Sequence, residues 1–449
     1  MRKYYAASLI ALSLLGVSCN RFLDVKPKGV IIASNINDFD ALLNSADLIN
    51  NSSLVNPMMV TDDIVDVTFN PSNQQSASGN VYFWHPYINA SAQSPSIWID
   101  YYNAIVNMNV ITEGVMQATS GTEQKKKQLY AEALVSKAFS YYQLLTFFSP
   151  GYGKGTAHQV YGVPYMTSTD ISQPTPARPL LDDNLKLIIA DLKRAVTDLE
   201  YVTPNNTRAG KSAAYALLSR YYLYMQEYQL AMDYADSVMK DERLYLLDYN
   251  NYLKTPLPNT TVSPEEIYVR YTNNQTYRYS ADLLQQYDTA TDLRIRLFAK
   301  RNTTGDTRIL SFNNFLSYNP NRGITYAEIL LNKAECLARL GDTDAALDIV
   351  NTIREMRFKP KDLQRLSANT AAEALTLVLV ERRRELAMKG ARWGDMKRLN
   401  QEGRMPAVNR VAADGITVLG TLKPGSLQYT FQIPLQVQAF NKDMPLNQQ

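Results

Sequence analysis

Two stretches of this chain carry the same pattern of small and apolar residues at a constant separation of 115 positions. Ser219, Leu223, Gln226 and Ala231, within 212–240, correspond to Ala334, Ala338, Gly341 and Ala346. Each copy reads as a helix, a short turn and a second helix. In the later copy Ala327, Leu330, Leu331, Ala334 and Ala338 share one face. Gly341 suits a left-handed turn, Asp342 or Thr343 can cap the next helix, and Ala346, Ile349, Val350 and Ile353 continue the seam. A hairpin of this kind cannot bury its own seam and must stack on neighbours, as tetratricopeptide repeats do. A weaker third copy lies in 124–148, where Ala138, Tyr142 and Leu145 share a comparable face. The copies stand too far apart for one uninterrupted solenoid. The expected fold is therefore mostly α: a scaffold of tetratricopeptide-like helix pairs near 124–148, 181–240, 325–357 and 372–399, with an irregular, loop-rich half packed against it.

The intervening segments 149–180, 248–322 and 400–432 are rich in Gly, Pro, Asn and Thr, with short alternating pieces at 266–270 and 428–432. Some of these are expected as short strands or hairpins. Residues 68–97 read as a further long loop region carrying Trp84, His85 and Tyr87. A capped short helix is expected within 35–49 and a longer one from Trp98 to about Met116. Connections this long in a compact domain imply a functional surface.

The chain opens with Arg2 and Lys3, then a mostly apolar run from Ala6 to Val17, ending in Ser18-Cys19. A dozen residues make only about 18 Å of helix, too short to span a bilayer and suited to a secretory signal. The pattern reads as a bacterial lipoprotein signal over 1–18, with Cys19 as the lipidated residue and 19–30 as anchor and tether. Residues 31–449 would then form one domain. An ordinary secretory peptide that happens to contain a cysteine is the alternative, and Leu15 lies one position further from Cys19 than a lipobox leucine usually does.

With Cys19 lipidated, Cys336 stands alone, which excludes a disulfide framework or a cysteine metal site. Net charge is +3, and the basic blocks are no longer than Lys125–Lys127 and Arg382–Arg384, so nucleic-acid binding has no support. Thirty tyrosines against thirteen phenylalanines favour half-wet helix contacts, with a handful left for stacking on ligands.

Catalytic motifs fail one by one. In 151–156 the lysine of Gly-Tyr-Gly-Lys-Gly-Thr is followed by glycine, so it is a turn and not a phosphate loop. His-Glu-x-x-His, Gly-x-Ser-x-Gly and paired Cys-x-x-Cys are absent. Asp62, Asp63 and Asp66 form an acidic cluster whose ordinary role is capping or turns; the alternative is a glycosidase pair, two carboxylates facing a scissile bond. His85 alone makes no nucleophile–base pair.

Glu381-Arg-Arg-Arg-Glu385 sits in a helix expected over about 372–389, where it reads as a solvated or salt-bridged face. After Gly390, the Arg392-Trp393-Gly-Asp395 run reads as a structural aromatic plug tied down by Arg and Asp. Together, Glu381–Ala387 and Gly390-x-Arg-Trp-x-Asp-x-Lys-Arg-Leu399 resemble the signature of the SusD/RagB family, surface lipoproteins of the Bacteroidetes outer membrane. Further features agree in order: Phe22-Leu23-Asp24, Thr61-Asp62-Asp63, Trp98-x-x-Tyr101-Tyr102 through Asn109, Ala131 through Tyr142, Tyr326 through Glu335, and Ile433-Pro434 followed by Asn441 and Asn447. Lys389 and the C-terminal closing depart from the family pattern.

The resemblance implies a SusD-like α-α superhelix built on four tetratricopeptide-like pairs. It implies a non-catalytic protein without cofactor or metal, capturing glycans at the cell surface as a lid on a SusC-like TonB-dependent outer-membrane transporter. Its membrane contact would be the lipid on Cys19. A peptide-capturing RagB-like lid, a mainly structural lid and an extracellular glycosidase remain alternatives. Loops rich in Tyr, Trp, Asn and Arg can stack on sugar faces and bond sugar hydroxyls. Three clusters qualify as ligand-binding candidates: Trp84, His85 and Tyr87; Asn273, Asn274, Tyr277 and Tyr279, beside Tyr271; and Phe312, Asn313, Asn314, Phe315, Tyr318 and Arg322.

Overall fold

The computed structural model describes residues 33–51, 55–66, 76–272, 277–301, 308–310 and 321–449. The signal segment, Cys19 and the tether lie outside them. The fold is mostly α with only short strands. Its principal helices are α1 (Ile36–Leu43), α2 (Ser96–Gly114), α3 (Glu123–Phe148), α4 (Leu181–Asp198), α5 (Lys211–Tyr224), α6 (Tyr228–Met239), α7 (Tyr326–Leu340), α8 (Thr343–Glu355), α9 (Ala371–Glu385) and α10 (Arg392–Gln401).

Local chemistry sets the helix ends. Asn35 opens α1 with a capping box: its Oδ1 accepts the Asn37 and Asp38 N–H groups, while Asp38 accepts the Asn35 N–H. Asp342 is the residue that caps α8, accepting the Ala345 N–H at 3.2 Å.

The two repeat copies form matching hairpins, α5–α6 and α7–α8, and α7 packs against α6. Ser219, Ala231, Ala334 and Ala346 are wholly buried where the helices cross. The Ser219 hydroxyl donates to the Ala231 carbonyl at 2.9 Å and accepts the Asn332 amide at 3.1 Å, joining three helices at one point. Both turns reverse through the left-handed region. Gly341 has φ 95°, and Gln226, at the equivalent position, has φ 59°. The third copy differs: 124–148 is one continuous helix, α3, packed along α2 and α4 and buried nearly all round from Ala131 to Phe148.

The C-terminal part of the scaffold is knit by buried ion pairs. Glu381 and Glu385 both accept from Arg294, at 2.7 and 2.9 Å, and Glu385 also meets Arg357 at 3.0 Å. Arg382 donates to Asp395 at 2.8 Å, and Arg398 bridges Asp395 and Glu335. The charged run of α9 is salt-bridged but forms a buried junction and not a solvated face, because most of its partners come from other elements, the Arg384–Glu381 pair being a contact within the helix. Trp393 is the aromatic plug: its ring stacks on Tyr429 at 5.6 Å between centroids, and its Nε1 donates to the Thr146 carbonyl at 2.9 Å.

The strands are β1 (Asn50–Asn51), β2 (Ile64–Val65), β3 (Glu266–Tyr268), β4 (Tyr271–Thr272), β5 (Tyr277–Tyr279), β6 (Ala299–Arg301), β7 (Arg308–Leu310), β8 (Ile324–Thr325), β9 (Val408–Val411) and β10 (Val418–Leu422). An antiparallel sheet runs β2-β5-β7-β6, and β9 and β10 form a hairpin. The alternation at 266–270 becomes β3, paired with β8. That at 428–432 does not become a strand: Leu427–Tyr429 is a 3₁₀ turn that delivers Tyr429 to Trp393. The 68–97 segment also contains a short helix, Ala77–Tyr82, capped by Ser76. Among the described residues no helix is long and apolar enough to cross a membrane.

Candidate functional site

Arg410 organises the region where two of the three candidate clusters meet. Its guanidinium donates to four carbonyls: Tyr82 at 2.9 Å, Ile64 at 2.8 Å, Met59 at 2.8 Å and Thr61 at 3.0 Å. The same group lies over the rings of Tyr82 and Trp84, at 4.0 and 4.3 Å from their centroids. β2, which carries Ile64, pairs with Tyr279 of β5, and the Asp63 carbonyl accepts the Ser280 N–H at 2.8 Å. One buried arginine thus ties the 82–87 segment to the sheet that holds 277–279. Burial pulls its guanidinium down to about 10, since no carboxylate bonds it directly.

Arg410 escapes the sequence reading because nothing marks an arginine in a short irregular segment as central. The available signal is alternation along Val408-Asn409-Arg410-Val411, which puts Arg410 on the inward face of Val408.

This arrangement corrects three candidates. Trp84 is 1% exposed, and its Nε1 donates to the Val60 carbonyl at 2.8 Å. Its backbone holds φ 56°, a left-handed conformation a tryptophan adopts only when its surroundings enforce it. It belongs to the frame, because its ring is covered by Arg410 and offers no face to a ligand. Tyr279 is 4% exposed within β5 and is likewise covered. Arg322 is buried, with Nη1 donating to Asn56 at 3.0 Å.

Arg322 does line a cavity, together with Tyr271, Arg270, Arg392 and Trp393, but its volume is only about 50 Å³. That is room for a few waters; a six-membered ring needs a cavity of roughly 150 Å³.

His85 and Tyr87 remain half-buried at the surface. Partial burial lowers the His85 imidazole below its ordinary value, which favours the neutral ring. Their backbone is pinned from below: the His85 N–H donates to Asn80 at 2.8 Å, and the Pro86 carbonyl accepts the Gln432 N–H at 2.8 Å. Two rings of mixed polarity thus stand on a stiff base. Asn273, Asn274, Phe312, Asn313, Asn314, Phe315 and Tyr318, and the side chain of Tyr277, lie outside the described residues.

The acidic cluster has a structural role. Asp62 accepts a bidentate pair from Arg392 at 2.7 and 2.6 Å, and Asp63 accepts from Arg383 at 2.9 Å. Burial raises both carboxyls. For Asp62 the arginines outweigh it and bring the group down to about 2, whereas Asp63, repelled also by Asp62, stays above its ordinary value. Both aspartates are buried and committed to arginines more than three hundred residues away in sequence.

Residues 21–223 match the family profile described as "Starch-binding associating with outer membrane", and residues 317–415 match that of the SusD family. A SusD-like protein of Formosa agariphila is 23% identical over 409 residues, covering 71% of this chain and 75% of the relative. A SusD superfamily protein of Bacteroides thetaiotaomicron superposes with a TM-score of 0.75 at 21% identity, over 92% of this chain and all of that one. A putative sugar binding protein of Bacteroides vulgatus gives 0.72 at 21% identity, over 93% and 99% of the two chains. Surface glycan-binding protein A of Bacteroides fluxus gives 0.70 at 18% identity, over 92% and 98%.

Proposed function

The chain belongs to the SusD/RagB family, and on that premise we propose that it captures oligosaccharides at the cell surface without transforming them. In this reading Cys19 carries the lipid that holds it to the outer membrane. The body closes as a lid on a SusC-like TonB-dependent transporter, which receives the captured glycan. Family membership is the observation that carries the proposal. The half-buried His85 and Tyr87 support it physically, since a ring with one apolar face and one polar tip can stack on a pyranose and bond its hydroxyls. Asn273, Asn274, Tyr277 and the 312–318 aromatics are proposed as the remainder of that surface. The commitment of Asp62 and Asp63 to arginines argues against a role as a hydrolytic carboxylate pair.

Isothermal titration of the full chain against a panel of α-glucan, β-glucan, xylan and mannan oligosaccharides, and against a peptide mixture, tests this. Heat with one saccharide class, weakened by Tyr87→Ala, is the expected outcome. Heat with peptides alone, or reducing ends released during incubation, would overturn it.

A further inference from the structure

A second concavity lies on a different set of elements, where the 201–206 loop, the start of α5, the 241–245 turn after α6 and the 262–267 segment converge. Its volume is about 290 Å³, near the lower bound of small-molecule sites. The residues that matter are Tyr201, Ser212, Asp241, Arg243, Tyr245 and Glu266. Asp241 is 5% exposed and pre-set in orientation: Ser212 donates to it at 2.6 Å, and Arg243 donates at 2.8 and 2.7 Å. Arg243 also donates to the Tyr201 carbonyl. Among the described residues its Nη1 has no hydrogen-bond partner, although the side chain is 47% exposed.

The walls are stiff. Asn206 donates its amide to the Thr260 and Ser263 carbonyls at 3.1 and 2.8 Å, and the Tyr245 N–H donates to Pro264. Gly210 lets the 200–203 segment lie against the start of α5, for a Cβ there would meet the Glu200 and Tyr201 carbonyls at 3.1 Å. The rim is apolar and open: Tyr245 is 56% and Val262 67% exposed.

Charge and shape narrow the ligand. Asp241 and Glu266 oppose an anion, while Arg243, and Lys211 over the Tyr201 ring at 5.6 Å, oppose a cation. The polar floor opposes an apolar ligand. What fits is neutral, rich in hydroxyls and flat on one side. We propose that this pocket is a second saccharide site, taking one pyranose unit between the Tyr245 ring and the Asp241–Arg243 pair, independent of the His85–Tyr87 surface. It shares its ligand class with the function proposed above and rests on that reading to this extent.

The test is a titration of the full chain with the same four oligosaccharide classes, using wild type, Tyr245→Ala, Tyr245→Phe and Tyr87→Ala. Tyr245 is chosen because its pocket bond is made by backbone, so the side chain can be removed without unfolding the walls. The expected wild-type isotherm has two sites. Tyr245→Ala weakens one of them about tenfold and Tyr245→Phe restores it, whereas Tyr87→Ala weakens only the other. A single site abolished by Tyr87→Ala and indifferent to Tyr245→Ala would overturn the second site and leave the proposed function standing. No heat with any saccharide would overturn both.

Discussion

The guanidinium of Arg410 lies 4.3 Å from the centre of the Trp84 ring while bonding the carbonyls on either side of the turn that carries Asp62 and Asp63. The tryptophan that looks most like a sugar platform is thereby the roof of a buried arginine. Removing the arginine strands four carbonyls with no donor of the same reach. Arg410→Ala is expected to cost about 2–4 kcal/mol in urea unfolding. It should also speed amide exchange at 82–87. A variant as stable as wild type would contradict the role given to Arg410.

Trp84 and Tyr87 should separate stability from binding. Trp84→Ala opens a cavity in the core and is expected to cost about 3–5 kcal/mol. Tyr87→Ala should cost about 1 kcal/mol or less and weaken saccharide binding. Denaturant midpoints and titrations on the same two variants check this, and a reversed pattern would restore Trp84 as a ligand residue.

The repeat predicts its own improvement. Gln226 occupies the turn position that Gly341 fills in the later copy, at φ 59°, and pays the steric cost of a side chain there. Gln226→Gly is expected to stabilise by about 0.5–1 kcal/mol, and Gly341→Ala to destabilise by about 1 kcal/mol. A Cβ at Gly341 would meet nothing within 4 Å, so that loss would be purely backbone. Urea midpoints of both variants give the answer.

Acid should weaken the junctions between distant segments. Asp62 is held down to about 2 by Arg392 and Arg383 against the pull of burial, and Asp395 and Glu385 are held well below the usual carboxylate range by their own arginines. Carboxyls depressed on folding contribute stability that is complete above their unfolded values near 4 and is lost as pH falls through the folded ones. Asp63, raised by burial and by Asp62, works in the opposite sense but is outnumbered. The urea midpoint is expected to fall steeply between about pH 4 and pH 2. In Asp62→Asn the drop should be smaller by about 2 kcal/mol, from a lower starting point at pH 7. Parallel pH profiles for the two proteins would contradict this assignment.

The helical frame was legible because its signals are local. Spacing of Ala334, Ala338 and Ala346, the Gly341 turn and the Asp342 cap each act within one or two turns of helix, and each appears in the structure as read. The site was far less legible. Whether a tryptophan in a loop is a platform or a plug depends on what covers it, and Trp84 is covered by Arg410, 326 residues later. The same applies to Glu381, whose partners Arg294 and Arg354 come from other segments and turn an apparently solvated face inward. Long-range cover leaves no periodicity behind.

The proposed division is between a passive helical frame and a saccharide surface that includes His85 and Tyr87. Hydrogen exchange of the full chain, with and without a saturating oligosaccharide, tests that division most directly. Slower exchange at 84–87 and 277–279, with α3 and α7 unchanged, is the predicted result. Exchange unaltered at those segments while a saccharide is demonstrably bound would contradict it.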